Sequence, residues 1–187
     1  HTHLSGTGAG DLYDISYMPV TLPYREAEAP LGIHSKFRHS DEEASAGYYR
    51  VLLKDYNINV ELTATERCGI QRYTFPKAQS AVFLNLKKAM NWDFTQDSHI
   101  EVVDSCTIQG YRFSDGWARG QRVFFRTRFS KPFRSSEIDT TAIIQDGKTI
   151  GTAYVARFNF DTTDGEEIVL CTALSGVSME GAAGNLA

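Results

Sequence analysis

The densest chemistry in the chain is its opening, His1-Thr2-His3-Leu4-Ser5-Gly6-Thr7-Gly8-Ala9-Gly10-Asp11. Two of the five histidines stand there with three hydroxyls and three glycines. Imidazoles and hydroxyls both donate and accept hydrogen bonds, and alternate glycines let the backbone approach a ligand closely. The stretch therefore reads as a loop that holds something polar. Its glycines run G-x-G-x-G and miss the G-x-G-x-x-G spacing of a dinucleotide loop, with no strand pattern before them and no helical pattern after. A phosphate loop would need a following Lys-Ser/Thr pair, which is absent. His1 and His3 as metal ligands need two or more further donors from elsewhere in the chain. A start without Met, already inside a polar loop, reads as the cut end of a longer protein.

The elements that must carry this loop are strands. Alternation is clear at Ile33–Arg38, Tyr48–Lys54, Ile58–Thr65, Ile70–Phe75 and Arg122–Ser130. It continues at Tyr13–Val20, Val82–Leu86, Ile100–Asp104, Ser105–Phe113, Thr141–Gln145, Lys148–Phe160 and Glu166–Ala173. Breaks are expected at Tyr24–Leu31, at His39–Glu43, and at the turns around Asp55–Asn57, Asp146-Gly147 and Thr163-Asp164-Gly165. Only the end differs: Ser178 before Met179-Glu180-Gly181-Ala182-Ala183 has the form of an N-cap and a first helical turn. The fold class is all-β, an antiparallel β-sandwich.

Composition supports one domain with a substantial core, since 42% of the 187 residues are hydrophobic and 12% aromatic. A net charge of −4 argues against a nucleic-acid partner, which needs a concentrated basic surface. The arginines between Arg119 and Arg134 alternate with Phe124, Phe125 and Phe129, the pattern of a strand with one solvated face. No apolar run approaches the roughly 20 residues of a membrane helix. Cys68, Cys106 and Cys171 show no C-x-x-C spacing and are expected as buried small side chains, one disulfide remaining open in an oxidising compartment.

Five blocks carry a resemblance: HTHLSGTGAGD at 1–11, HSDEEASAGYYRVLLKDYNINVELTATERCGIQRYTFP at 39–76, GYRFSDGWARGQRVFF at 110–125, FSKPF at 129–133 and SGVSMEGAAGNLA at 175–187. Together they resemble the N-terminal domain of glycoside hydrolase family 92, the calcium-dependent exo-acting α-mannosidases. The resemblance implies a galactose-mutarotase-like β-supersandwich over residues 1–177. Residues 178–187 would begin a linker helix into an absent (α/α)6 barrel. It also implies a bacterial protein, periplasmic or secreted, that acts on mannose-containing glycans, with α-1,2 linkages the expected specificity. Inversion at the anomeric carbon, the Glu acid, the Asp base and the calcium ligands all belong to the barrel by this resemblance. The chain alone is then expected to hold no catalytic residue and no metal ligand. An aromatic G-W segment that precedes the histidine block in the family is missing here.

What the domain is expected to contribute is recognition. His1, His3 and Ser5 match the family's H-T-H-L-S-G block and by that resemblance line or support the mannose pocket at the domain junction. The opposing reading makes that loop a purely structural contact. Trp117 either stacks on sugar or caps the core. His39 with Glu43, and Glu61 with Arg67, are expected as an interface or supporting polar network. An inverting glycosidase needs two carboxyls roughly 6.5–9.5 Å apart, and Asp11, Asp14, Glu42, Glu43, Glu61 and Asp115 offer no pair whose spacing demands that role. Each reads as a solvated or loop-capping carboxylate. Two other functions stay open on the sequence: a stand-alone carbohydrate-binding sandwich, and a mutarotase-like epimerase using His1 or His3 as acid with Glu61 as base.

Overall fold

Alternation in Thr107–Asp115 turns Ile108, Gly110, Arg112 and Ser114 inward and leaves Gln109, Tyr111, Phe113 and Asp115 on the half-exposed face. The same period builds the rest of the molecule in a computed structural model, which describes residues 14–24, 32–87, 93–116 and 118–187. In chain order the strands are β1 (Ser16–Thr21), β2 (Glu42–Ser45), β3 (Tyr48–Leu53), β4 (Ile58–Ala64), β5 (Cys68–Phe75) and β6 (Ala78–Asn85). They continue with β7 (Phe94–Asp104), β8 (Thr107–Asp115), β9 (Gln121–Phe129), β10 (Ser135–Gln145), β11 (Lys148–Thr162) and β12 (Glu166–Ser175). A single helix, α1 (Met179–Leu186), closes the described residues. The strands pair antiparallel in two sheets, ordered β1-β6-β11-β10 and β2-β3-β4-β5-β12-β9-β8-β7. The all-β antiparallel sandwich read from the sequence is the fold.

Between the sheets the core is aromatic. Phe129 lies 5.4 Å from Phe158 and 5.8 Å from Phe160, ring centre to ring centre, in tilted packing. Ile15, Val20, Val82, Leu84, Ile108 and Ile168 fill in around them. Where β7 meets β11 the two sheets are stitched by side chains. Thr152 N–H donates to Asp97 Oδ1 at 2.9 Å, and Tyr154 N–H donates to Ser98 Oγ at 2.9 Å. Gly151 allows this approach, because a Cβ there would stand 2.0 Å from the Gln96 carbonyl oxygen.

Several expectations shift at their edges. Ile33–Arg38 is not a strand: it lies over the β3–β4 turn, the Lys36 carbonyl accepting from Lys54 N–H at 3.0 Å and Lys36 N–H donating to Asp55 Oδ2 at 2.7 Å. Alternation marks which side chains face in, but a ladder needs a partner strand along its whole length. The expected break at His39–Glu43 is a 3-10 turn over His39–Asp41 that runs directly into β2. Strands β6, β7 and β10 start earlier than alternation suggests, through polar residues such as Thr95, Gln96 and Ser98 that pairing admits and hydrophobicity hides. The Asp146-Gly147 hairpin has φ of +50° and +74°, the left-handed pair that a type I′ turn needs. The cysteines are free and half-buried, not core, and Cys106 lies in the β7–β8 turn.

Candidate functional site

The most unusual side chain in the sandwich is Arg112 in the middle of β8, which is completely buried. Its position on the inward phase of the strand puts a guanidinium where Ile108 and Gly110 point, and every face of it is met by an acceptor. One terminal nitrogen, Nη1, donates to Asp14 Oδ1 at 2.6 Å; the other, Nη2, donates to Asp93 Oδ1 at 2.8 Å. Nε donates to the Leu86 carbonyl at 3.2 Å and to Thr95 Oγ1 at 3.0 Å. Ser114, two residues along the same face, adds a hydroxyl to Asp14 Oδ1 at 3.2 Å. Asp14 and Asp93 are themselves fully enclosed.

Two carboxylates against one guanidinium leave a surplus of negative charge in an apolar setting. Burial raises the Asp14 pKa above the ordinary aspartate value, a change that the adjacent Arg112 only partly offsets. The sequence reading of Asp14 as a solvated or capping carboxylate is therefore corrected, because its partner is 98 positions away. Arg112 and Asp93 were not singled out from sequence. The available signal was phase: a charged residue two positions from glycine and four from isoleucine on the inward side of a strand must carry its partners with it.

The residues proposed from sequence fall in two groups. His1, His3, Ser5 and Asp11 in the opening block, and Trp117, lie outside the described residues. The other four are placed, with different partners from those expected. His39 projects into solvent, its side chain 99% exposed, and its Nδ1 lies 2.7 Å from Glu42 Oε2. Glu42 also accepts from the Tyr49 hydroxyl at 2.5 Å, and these contacts, the tyrosine first, hold its carboxyl below the usual glutamate range. Glu43 points away at 63% exposure toward Arg50, 3.8 Å off. Successive strand residues face opposite sides, so His39 can meet only one of the two acids.

Glu61 pairs with Arg72 and not with Arg67. The Arg72 fork donates through Nε and Nη2 at 2.7 Å each, and the Tyr48 hydroxyl donates to Glu61 at 2.7 Å. Register explains the choice, since Glu61 stands directly opposite Arg72 on β4 and β5. Arg67 reaches α1 instead, donating to Asn185 Oδ1 at 3.2 Å. Asn185 in turn donates to the Leu174 carbonyl at 2.7 Å, and Cys68 Sγ donates to the Asn185 carbonyl at 3.1 Å, so the last turn of the helix is fastened to β5 and β12. Asp115 accepts from Gly120 N–H at 2.6 Å and from Gln96 Nε2 at 3.2 Å. Among the described residues no group of three or more His, Cys, Asp or Glu side chains could hold a metal ion. The buried Asp14–Asp93 pair offers no cation site either, because a guanidinium already stands between the two.

The twelve strands of the described residues form one antiparallel β-sandwich domain of two sheets. The chain matches the family model "Glycosyl hydrolase family 92 N-terminal domain" over residues 1–175, and it belongs to that family. No curated protein matches it in sequence. Among solved structures it is similar to the GH92 α-mannosidase BT3965 from Bacteroides thetaiotaomicron, solved with mannoimidazole, at 31% identity and a TM-score of 0.86; the match covers 99% of this chain and 26% of that one. The inverting mannosidase BT2199 of the same organism shares the fold at 22% identity and a TM-score of 0.72, over 92% of this chain and 23% of that one. The GH92 glycosyl hydrolase ccman5 does so at 22% and 0.67, over 96% and 25%. This chain thus spans about a quarter of the length of these relatives.

Proposed function

We propose that this domain is the sugar-recognition half of an inverting exo-α-mannosidase, which removes terminal α-linked mannose, α-1,2-linked first, from glycans. The observation that supports the reading most directly is the match over 99% of this chain to an α-mannosidase solved in complex with mannoimidazole. On this reading a larger (α/α)6 domain follows α1 and supplies the Glu acid, the Asp base and the calcium ligands. Calcium would help hold and polarise the sugar there. The carboxylates described here suit a supporting role, since Glu61, Glu42 and Asp14 are each taken up by fixed partners.

The work left to this chain is binding and orientation. His1, His3 and Ser5 would hydrogen-bond the mannose hydroxyls, and Trp117 would offer a flat apolar face to the C–H side of the ring. Arg67 and the anchored end of α1, with Glu61, His39 and Glu43 along β2–β5, would form the support at the domain contact. A protein of this kind is expected to work in the periplasm or outside the cell. The test is direct: the full-length protein should release mannose from an α-1,2-linked mannobiose, lose that activity to a calcium chelator and regain it on calcium addition. Proton NMR should show the β-anomer first. The 187-residue domain alone should release none. A full-length protein that leaves α-mannosides intact with calcium present would sink the proposal.

A further inference from the structure

Two of the three cysteines are neighbours across adjacent strands. Cys68, the first residue of β5, stands opposite Ala173 of β12, while Cys171 stands opposite Ile70. Residues two apart on a strand share a face, so the two thiols lie on one diagonal of the same side of the larger sheet. They are in contact. Cys171 S–H donates to the Cys68 sulfur, and burial first, then that neighbour, holds the Cys171 thiol above its ordinary pKa. The Cys68 S–H is directed onward to the Asn185 carbonyl of α1 at 3.1 Å. Cys106 is excluded from this pair by sheet order. It sits at the start of β8, which β9 separates from β12. Two strand spacings come to nearly 10 Å, beyond the roughly 7 Å between Cα atoms that a disulfide can span.

Cys68 also lines a solvent-open cavity of about 390 Å³, together with Thr65, Glu66, Arg67, Leu174 and Ser175, so a small reagent can reach it. We propose that Cys68 and Cys171 form a dithiol site that closes to a disulfide by exchange with a low-molecular-weight disulfide such as oxidised glutathione, and that closing it unfastens the last turn of α1. The Cys68 thiolate attacks one sulfur of the external disulfide and expels a thiol; the Cys171 thiolate then displaces the second thiol from Cys68. Two protein thiols are oxidised, one external disulfide is reduced, and both protons leave on the released thiols. A diagonal pair is about 7 Å apart between Cα atoms, at the outer limit for a disulfide, so β5 must yield slightly. Cys68 is where it can yield, because Cys68–Ala173 is the end rung of the β5–β12 ladder and Gly69 follows it. The oxidised Cys68 has no proton left to donate. The Asn185 carbonyl, in the last turn of α1 where no intrahelical donor reaches it, then loses its partner, and the helix end keeps only the Asn185 side-chain bonds to Arg67 and Leu174. This inference stands on register and sulfur contacts and does not depend on the function proposed above.

The test treats the folded full-length protein with excess oxidised glutathione, blocks the remaining thiols with an alkylating reagent, and maps unreduced peptides by mass spectrometry. The peptide carrying Cys68 should be joined to the one carrying Cys171 with the loss of two hydrogens, and Cys106 should be absent from the link. Hydrogen exchange followed by mass spectrometry should then show the Ala182–Leu186 amides exchanging roughly threefold faster in the oxidised protein, as the loss of one weak hydrogen bond predicts. A phosphine reductant should restore the slower rate. Cys68→Ala removes the donor without a cross-link, so its α1 should exchange at the faster rate with or without oxidant. Cys68 and Cys171 recovered alkylated, as separate glutathione adducts, or linked to another cysteine would overturn the site. A Cys68–Cys171 link that leaves α1 exchange unchanged, or an oxidant-induced rise that persists in Cys68→Ala, would overturn the unfastening.

Discussion

Arg112 and Glu61 show two ways for a strand to carry charge. Removing the buried cation strands two enclosed carboxylates, so Arg112→Met is expected to cost about 3–5 kcal/mol, read as a lower urea midpoint. Glu61 is a shallower case, held by Arg72 and Tyr48 at the sheet surface. Its pKa lies below the ordinary glutamate value, chiefly through the Arg72 hydrogen bonds. The stabilisation is therefore full above that ordinary value and fades as pH falls through the lowered native one. Glu61→Gln should be less stable than the parent by about 1 kcal/mol at neutral pH, and the two urea midpoints should converge in acid. Asp14 runs the other way. Its raised native pKa means stability declines as pH climbs from the ordinary aspartate value through the native one, and a pH series on Asp14→Asn should lack that decline. The sequence disclosed the acids but not these fates, because a carboxylate's partner is chosen by register and sheet order.

Elements were legible where their signal is local. The Asp146-Gly147 turn and the Ser178 cap fall where residue chemistry puts them, the Ser178 hydroxyl accepting Gly181 N–H at 3.0 Å. Ser178→Ala should loosen α1 by about 1 kcal/mol, seen as faster exchange of the Gly181 and Ala182 amides. Less legible were β2 and the first half of β7, whose polar residues are strands only because a neighbour pairs with them. The β7–β11 seam is of the same kind. Gly151→Ala places a methyl against the Gln96 carbonyl, so β11 must move away and a loss of about 1–3 kcal/mol is expected in thermal melts.

At the scale of the whole molecule, a weak margin lies at one end of the smaller sheet. Among the described residues strand β10 is an unpaired edge of the smaller sheet, and Ile138, Ile144 and Ile150 on the β10–β11 hairpin are exposed. Edges of this kind invite pairing with other chains. The isolated domain should associate on size-exclusion chromatography in a concentration-dependent way, and Ile144→Lys with Ile150→Lys should reduce that while leaving Tm almost unchanged. A monodisperse monomer at every concentration would contradict this.

From sequence alone came the antiparallel sandwich, most of its strands, its turns, the capped helix and the family, because period-two alternation, turn residues and contiguous motif blocks are written within short spans of chain. The tertiary structure alone joined Asp14, Asp93 and Arg112, which lie 98 and 19 positions apart in their pairings. It also gave Glu61 to Arg72 and Arg67 to α1. Such contacts depend on which strands end up adjacent and which face each residue takes, and neither is set by any one segment before the sheets close.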